Sequence, residues 1–172
     1  MRTKTTSLLS ILLLAAAVAA PTPAAAQDEG IALGETPEAP ALETLDGGTF
    51  DLAAVIGEKP ALVEFWATWC AVCRALEPRM QAAHEAHGDD VEFLVVAVGV
   101  AQTRDDVRRH LERRPMPGRV LWDGRGAATR AFEAPGTGYI VILDGDGKVA
   151  YTGTGGDQDL VAALEEVVGT GD

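Results

Sequence analysis

Cysteine is scarce in this sequence: the 172-residue chain carries two, Cys70 and Cys73, three positions apart. Bonding them closes too small a loop to add much stability, so a disulfide-stapled scaffold is excluded. Basic residues are also few, 14 Lys and Arg against 26 Asp and Glu, for a formal charge of −12. Nucleic acids and anionic membrane surfaces reward clustered Lys and Arg, so neither is an expected partner. Only three histidines occur, His84, His87 and His110. No apolar run reaches the roughly 18 to 20 residues needed to cross a bilayer.

The apolar run from Leu8 to Ala20 is instead of signal-peptide length. Arg2 and Lys4 precede it, and Pro21, Pro23 and the small triplet Ala24-Ala25-Ala26 follow. That layout predicts a secretory signal peptide over residues 1–26 cleaved after Ala26, with an uncleaved membrane anchor as the alternative. No cysteine follows the run to carry a lipid. Cleavage removes Arg2 and Lys4 and no acid, which takes the charge to −14. The expected compartment is the periplasm, and what remains is long enough for one domain with a proper core.

Residues 27–40, rich in Pro, Ala, Gly and Glu, read as a flexible linker before a domain at 41–172. No internal repeat appears at periods of about 20 to 50 residues. Ala41 to Thr44 and Thr49 to Phe50 read as a hairpin around Asp46-Gly47-Gly48, and Asp51 as the cap of a brief helix, Leu52 to Ile56. Ala61 to Trp66 is a buried strand running into a helix that starts at Cys70, contains Pro78 and ends near Gly88. Val91 to Val98 is a central strand. Thr103 and Asp106 form a capping box for a helix Arg104 to Arg114. A short strand Val120 to Trp122, a short helix Gly126 to Phe132 and a buried strand Tyr139 to Leu143 follow. The turn Asp144-Gly145-Asp146-Gly147 leads into Lys148 to Thr152, and a last helix spans about Asp157 to Val168 with Leu160, Ala163, Leu164 and Val167 on one face. Alternating strands and helices ending in a hairpin mean an α/β sandwich around a mixed sheet.

The chemistry lies in Trp69-Cys70-Ala71-Val72-Cys73. A Cys-x-x-Cys that opens a helix directly after a buried strand sets the first sulfur among unpaired backbone N–H groups at the positive end of the helix dipole, which favours the thiolate. Such a thiolate attacks a partner disulfide, and the second cysteine, one turn deeper, displaces the partner from the mixed disulfide. A structural zinc site would need four ligands, and one such pair supplies two. His84 lies roughly 16 Å from Cys73 along the helix axis at ~1.5 Å per residue, too far to share a metal with it. His84, His87 and His110 read as solvated surface residues. No cofactor and no resident metal are expected.

The run LVEFWATWCAVCRALEP, Leu62 to Pro78, resembles the active-site segment of thioredoxin-fold proteins, and FWATWC is particularly similar to periplasmic TlpA-like thiol-disulfide oxidoreductases. VEFLVVAV, TRDDVRRHLERR, VLWDGRGAATRAF and YIVILDGDGKV follow in the family's order, so the resemblance covers about 41 to 168. It implies a thioredoxin-like three-layer sandwich with a central mixed sheet. It also implies a protein-disulfide reductase or exchange enzyme, with Cys70 as nucleophile and Cys73 as resolving thiol. Trp69 shelters the pair, and Ala71, Val72, Thr137 and Gly138 border the substrate. The implied partners are disulfide-containing exported proteins, such as apocytochrome c or copper-site proteins, and a membrane thiol reductant acting on a monomer.

Glu64 falls where thioredoxin proper carries a buried acid. An interior carboxyl in an apolar strand has a raised pKa and can accept and return the proton of the resolving thiol. The alternative is that Glu64 faces water near an edge. The glutamate common a few residues after the second cysteine is replaced by Leu76, and Glu77, one position on, is expected to point elsewhere. The family's cis-proline is replaced by Gly138, which leaves looser docking and metal binding at the two sulfurs open. A copper- or other metal-delivery module using those cysteines is the alternative function. Arg74 reads more readily as a solvated residue than as a support for charge at the pair. A peroxiredoxin-type peroxidase is disfavoured because Ala67 stands where its threonine belongs. Asp144 to Gly147 lacks the later ligands of a calcium loop and reads as a hairpin turn, and Trp122 to Gly126 also reads as a turn.

Overall fold

The computed structural model describes residues 30–169. The expected signal peptide lies outside them. In chain order the elements are β1 (Ala41–Thr44), β2 (Thr49–Asp51), β3 (Ala61–Trp66), α1 (Ala71–His87), β4 (Glu92–Val98), α2 (Arg104–Arg113), β5 (Arg119–Asp123), α3 (Ala127–Ala131), β6 (Tyr139–Leu143), β7 (Val149–Thr154) and α4 (Leu160–Gly169).

The seven strands form one sheet in the order β2-β1-β5-β4-β3-β6-β7. The three inner pairings explain why β3, β4 and β6 are nearly continuous apolar runs, since central strands are covered on both faces. Strands β3, β4 and β5 are parallel, with Glu64 opposite Val95 and Val95 opposite Val120. Strand β6 runs antiparallel to β3, with Glu64 opposite Ile140, so the sheet is mixed. All six residues of β3 and all five of β6 are buried.

The crossovers β3-α1-β4 and β4-α2-β5 step along the sheet in the same direction, and right-handed connections therefore set α1 and α2 on one face. Strand alternation agrees: Trp66 meets the α2 residue His110 with ring centroids 5.0 Å apart, whereas Phe65 turns to Phe132, just past α3, at 5.6 Å. Helix α4 packs on α1. The layers are thus α3, the sheet, and α1 with α2 and α4. In α1 the buried side chains Cys73, Leu76, Met80 and Ala83 recur at helical spacing; burying Leu76 or Met80 contributes about 2 to 3 kcal/mol each. The helical assignment runs through Pro78. The capping box at Thr103 is formed in full: its side chain accepts from Asp106 N, and the Asp106 carboxylate accepts from Thr103 N.

Three expectations change. Residues 52–56 form turns rather than a helix: Asp51 Oδ1 does accept from Ala53 N at 3.1 Å, but Asp51 ends β2, and a positive-φ glycine, Gly57, stops the chain after one turn. His84 and His87 are half-buried rather than solvated, and the His84 ring stands edge-on to Phe93 at 5.0 Å. Residues 30–40, expected to be flexible linker, have no helix or strand but are held down: Ile31 is buried in the core, Gly34 N donates to Val149 O at 2.7 Å, and Val149 N donates to Glu35 O at 2.8 Å.

Candidate active site

Strand β3 ends at Trp66, and four residues, the last of them the N-cap Cys70, carry the chain to the start of α1. Gln102 fixes that short loop. Its Oε1 accepts from Thr68 N at 2.8 Å and its Nε2 donates to Val98 O at 2.6 Å, so one amide side chain ties the loop to the end of β4. Trp69 is 47% exposed, yet its indole Nε1 donates to Val100 O at 2.8 Å. A large aromatic ring is thereby held at the surface beside the cysteines in one orientation.

Cys70 is the N-cap of α1, and its Sγ accepts from Cys73 N at 3.0 Å. Cys70 and Cys73 are joined as a disulfide. Cys70 retains 4% exposure and Cys73 none, so both are buried and Cys70 is the nearer of the two to solvent. Ala71 and Val72 are exposed on the first turn, and Arg74 just beyond is exposed as well.

Across from the pair runs the loop into β6. Thr137 is half-buried and Gly138 buried, and Gly138 N donates to Phe65 O at 2.8 Å. Gly138 O accepts from Gly155 N at 3.2 Å, so this glycine is tied to both β3 and the end of β7. Its φ is +78°, and there is no cis peptide among the described residues. Trp69, Val100, Gly124, Pro135 and Thr137 line an open, largely apolar groove of about 440 Å³ beside the pair.

Glu64 is 1% exposed, and neither carboxylate oxygen has a hydrogen-bond partner. The reading that places it at a wet edge is therefore wrong, because β4 and β6 flank β3 on both sides. Burial, with the negative charge of Glu77 adding to it, pushes the Glu64 carboxyl up to about 8. By strand alternation Glu64 shares a face with Trp66, beneath α1 and α2.

Glu77 does not point away as expected. Its Oε2 accepts from Arg114 Nη2 at 2.7 Å, its Oε1 is buried without a hydrogen bond, and its charge acts on both Glu64 and His110. His110 is likewise not a solvated surface residue: desolvation against Trp66 holds it below the ordinary histidine range. Asp123, read only as part of a turn, is 2% exposed and accepts from Ala127 N, Thr129 N and Thr129 Oγ1, thereby anchoring α3 behind the groove. The turn at Asp144 is a hairpin turn in which Asp144 Oδ1 accepts from Asp146 N and Lys148 N. Among the described residues no group of three or more His, Cys, Asp or Glu is placed to hold a metal.

The arrangement is a disulfide at the N-terminus of α1, with a half-exposed indole on the preceding loop and a buried carboxyl of raised pKa on β3. Comparisons with known proteins agree with that geometry. The Redoxin family profile matches residues 21–168. The thiol:disulfide interchange protein DsbE of Yersinia pestis is 30% identical over 136 residues, covering 77% of this chain and 70% of that protein. A thioredoxin of Streptomyces clavuligerus is 40% identical over 53 residues, 31% of this chain; the match spans about half, 49%, of that thioredoxin's length. A secreted disulfide oxidoreductase of Mycobacterium tuberculosis superposes with a TM-score of 0.63 at 23% identity, over 73% of this chain and 94% of that one, which establishes the shared fold. The chain belongs to the Redoxin family, with a thioredoxin-like fold of the TlpA and DsbE type.

Proposed function

We propose that this protein is an exported thiol-disulfide oxidoreductase that reduces or exchanges disulfides in other exported proteins through Cys70 and Cys73. The observation that carries the reading is the bonded pair itself, with Cys70 capping α1 at 4% exposure and Cys73 one turn deeper at none.

In the reduced protein the Cys70 thiolate, at the positive end of α1, attacks one sulfur of a partner disulfide, and the electron pair of the broken S–S bond leaves on the partner's other sulfur. A mixed disulfide results. The Cys73 proton passes to a carboxylate oxygen of Glu64, and the Cys73 thiolate attacks Cys70 Sγ. The Cys70–Cys73 bond forms, the bond to the partner breaks, and the partner's two thiolates, one released in each step, each take a proton from water. The partner has gained two electrons and two protons, and an external dithiol must reduce the pair again. Trp69, Ala71, Val72, Thr137 and Gly138 border the incoming chain, and the apolar groove beside Trp69 receives the residues next to the partner's cysteine.

Export to the periplasm is supported by the pattern of residues 1–26, and the name of the Yersinia pestis relative supports interchange as the activity. A membrane thiol reductant suits the return of electrons in that compartment, and apocytochrome c or copper-site proteins are the substrates we favour.

The test is reduction of a model protein disulfide by the wild type, Cys70→Ser and Cys73→Ser. Cys70→Ser is expected to be inactive, and Cys73→Ser to accumulate a mixed disulfide visible on a non-reducing gel and released by dithiothreitol. Full activity in Cys70→Ser, or no trapped species in Cys73→Ser, would overturn the assignment.

A further inference from the structure

Glu64 lies where a buried acid of this fold is expected, but Glu77 has no role in the exchange steps above, and its placement is odd for a surface ion pair. One of its oxygens meets Arg114 at the outside, with the side chain of Glu77 24% exposed and that of Arg114 53% exposed. The other is buried and has no hydrogen bond. A carboxylate serving only to pair with an exposed arginine contributes little and has no reason to bury an unsatisfied oxygen, which is destabilising.

The surroundings supply a reason. Helix α1 brings Glu77 to its seam with α2, above the sheet face that carries Glu64 and Trp66. The charged and titratable groups around it are Arg114 and His110 from the α2 side, Arg113 and Arg74, whose charges reach His110, and Glu64 from β3. The strands flanking Glu64 offer only Val95 and Ile140 opposite it. Glu77 thus sets one buried carboxylate oxygen on the inner side of α1, where its negative charge acts on Glu64, while Arg114 pairs with the other oxygen.

We propose that Glu77 is a positioning residue for the exchange reaction: held by Arg114 at the seam of α1 and α2, it determines whether Glu64 carries a proton and so when Cys73 can release its own. The proposal rests on the oxidoreductase reading given above. In the resolving step Glu64 must be ionised to take the Cys73 proton, and once the Cys70–Cys73 bond has formed it must hold that proton. A negative charge behind Glu64 favours the second condition, and partial neutralisation by Arg114 keeps the first accessible near neutral pH.

Two variants that leave the sulfurs and Glu64 intact move Glu64 in opposite directions. Glu77→Gln removes the negative charge and lowers the pH at which Glu64 titrates; Arg114→Ala unmasks that charge and raises it. The experiment follows the carbon-13 carboxyl resonance of Glu64 in the oxidised protein from pH 5 to 10, alongside the pH dependence of mixed-disulfide resolution in single turnover, for the wild type and both variants. The expected result is opposite displacement of the Glu64 midpoint, tracked by the inflection in the resolution rate. A purely structural contact would move both variants the same way. Midpoints in Glu77→Gln and Arg114→Ala equal to that of the wild type, or a rate inflection that ignores their displacement, would overturn the proposal. A wild type that resolves no mixed disulfide would instead remove the oxidoreductase reading on which it stands.

Discussion

Val72 and Gly138 face each other across the active site so closely that a β-carbon on Gly138 would lie 2.6 Å from Val72 Cγ1. The loop opposite the cysteines is therefore fitted to a bulky residue inside the Cys-x-x-Cys segment. Gly138→Ala meets both this clash and the cost of a non-glycine residue at φ +78°; it is expected to destabilise the oxidised protein by about 1 to 3 kcal/mol. Adding Val72→Ala should restore the part due to the clash and leave the backbone part. Urea unfolding of the two single variants and the double variant measures the coupling. Gly138→Pro should do worse than Gly138→Ala, because proline is confined to φ near about −65°.

Glu64 makes stability depend on pH in an unusual direction. Its carboxyl is raised from 4.5 to about 8 in the folded state. The folded protein keeps a proton that the unfolded chain releases, so the contribution is fully present below about 4.5, declines as pH rises and is gone above about 8. Glu64→Gln keeps the uncharged state at every pH and should gain stability over the wild type by a few kcal/mol at pH 9, with little difference at pH 4. Unfolding curves of the oxidised proteins at both values test the sign; an equal difference at both would contradict it.

Gln102 ties the loop before Cys70 to β4 through both ends of one amide. Gln102→Ala strands Thr68 N and Val98 O in a half-buried setting, at a cost of about 1 to 3 kcal/mol. Because Trp69 sits on the same loop, its fluorescence anisotropy should fall and the rate of attack by Cys70 should drop. An unchanged anisotropy would mean that the Val100 contact alone holds the ring.

Asp123 accepts three hydrogen bonds at 2% exposure, two of them from Thr129. Asp123→Ala should destabilise the domain by about 3 kcal/mol by stranding the N–H groups that start α3. Thermal unfolding measures the loss, and a shift within about 1 °C would show that water replaces the carboxylate.

The dipeptide between the cysteines, Ala71-Val72, carries no charge to hold a thiolate. A reduction potential below about −200 mV in a dithiothreitol buffer is expected, and one near about −120 mV would make the protein an oxidant.

Most of this architecture was legible because its signals are local. Uniformly apolar runs marked β3, β4 and β6, the Thr103 and Asp106 spacing marked the start of α2, and the cysteine spacing after a buried strand marked the site. What escaped depends on the partner rather than on the element. His84, His87 and His110 look like surface residues in any helical projection, yet Phe93 and Trp66 rise from the sheet to cover the rings of two of them. A projection of α1 alone turns Glu77 away from the site, and it is the end of α2 that brings Arg114 alongside it. Asp51 has the residue type of a helix cap, but only a turn follows it. Gln102 and Asp123 carry no motif at all; their roles come from loops that meet only in the folded sheet.

The backbone bonds that Val149 exchanges with residues 34 and 35 also bear on how the sheet ends. Strand β7 lies at the margin, where unpaired N–H and C=O groups offer a template to any extended chain. The segment before β1 occupies part of that margin, with Ile31 anchored in the core behind it. An open edge would give any extended chain a place to pair along the sheet. Shortening this protein to Ala41 would open that edge, and self-association is the fault to expect first.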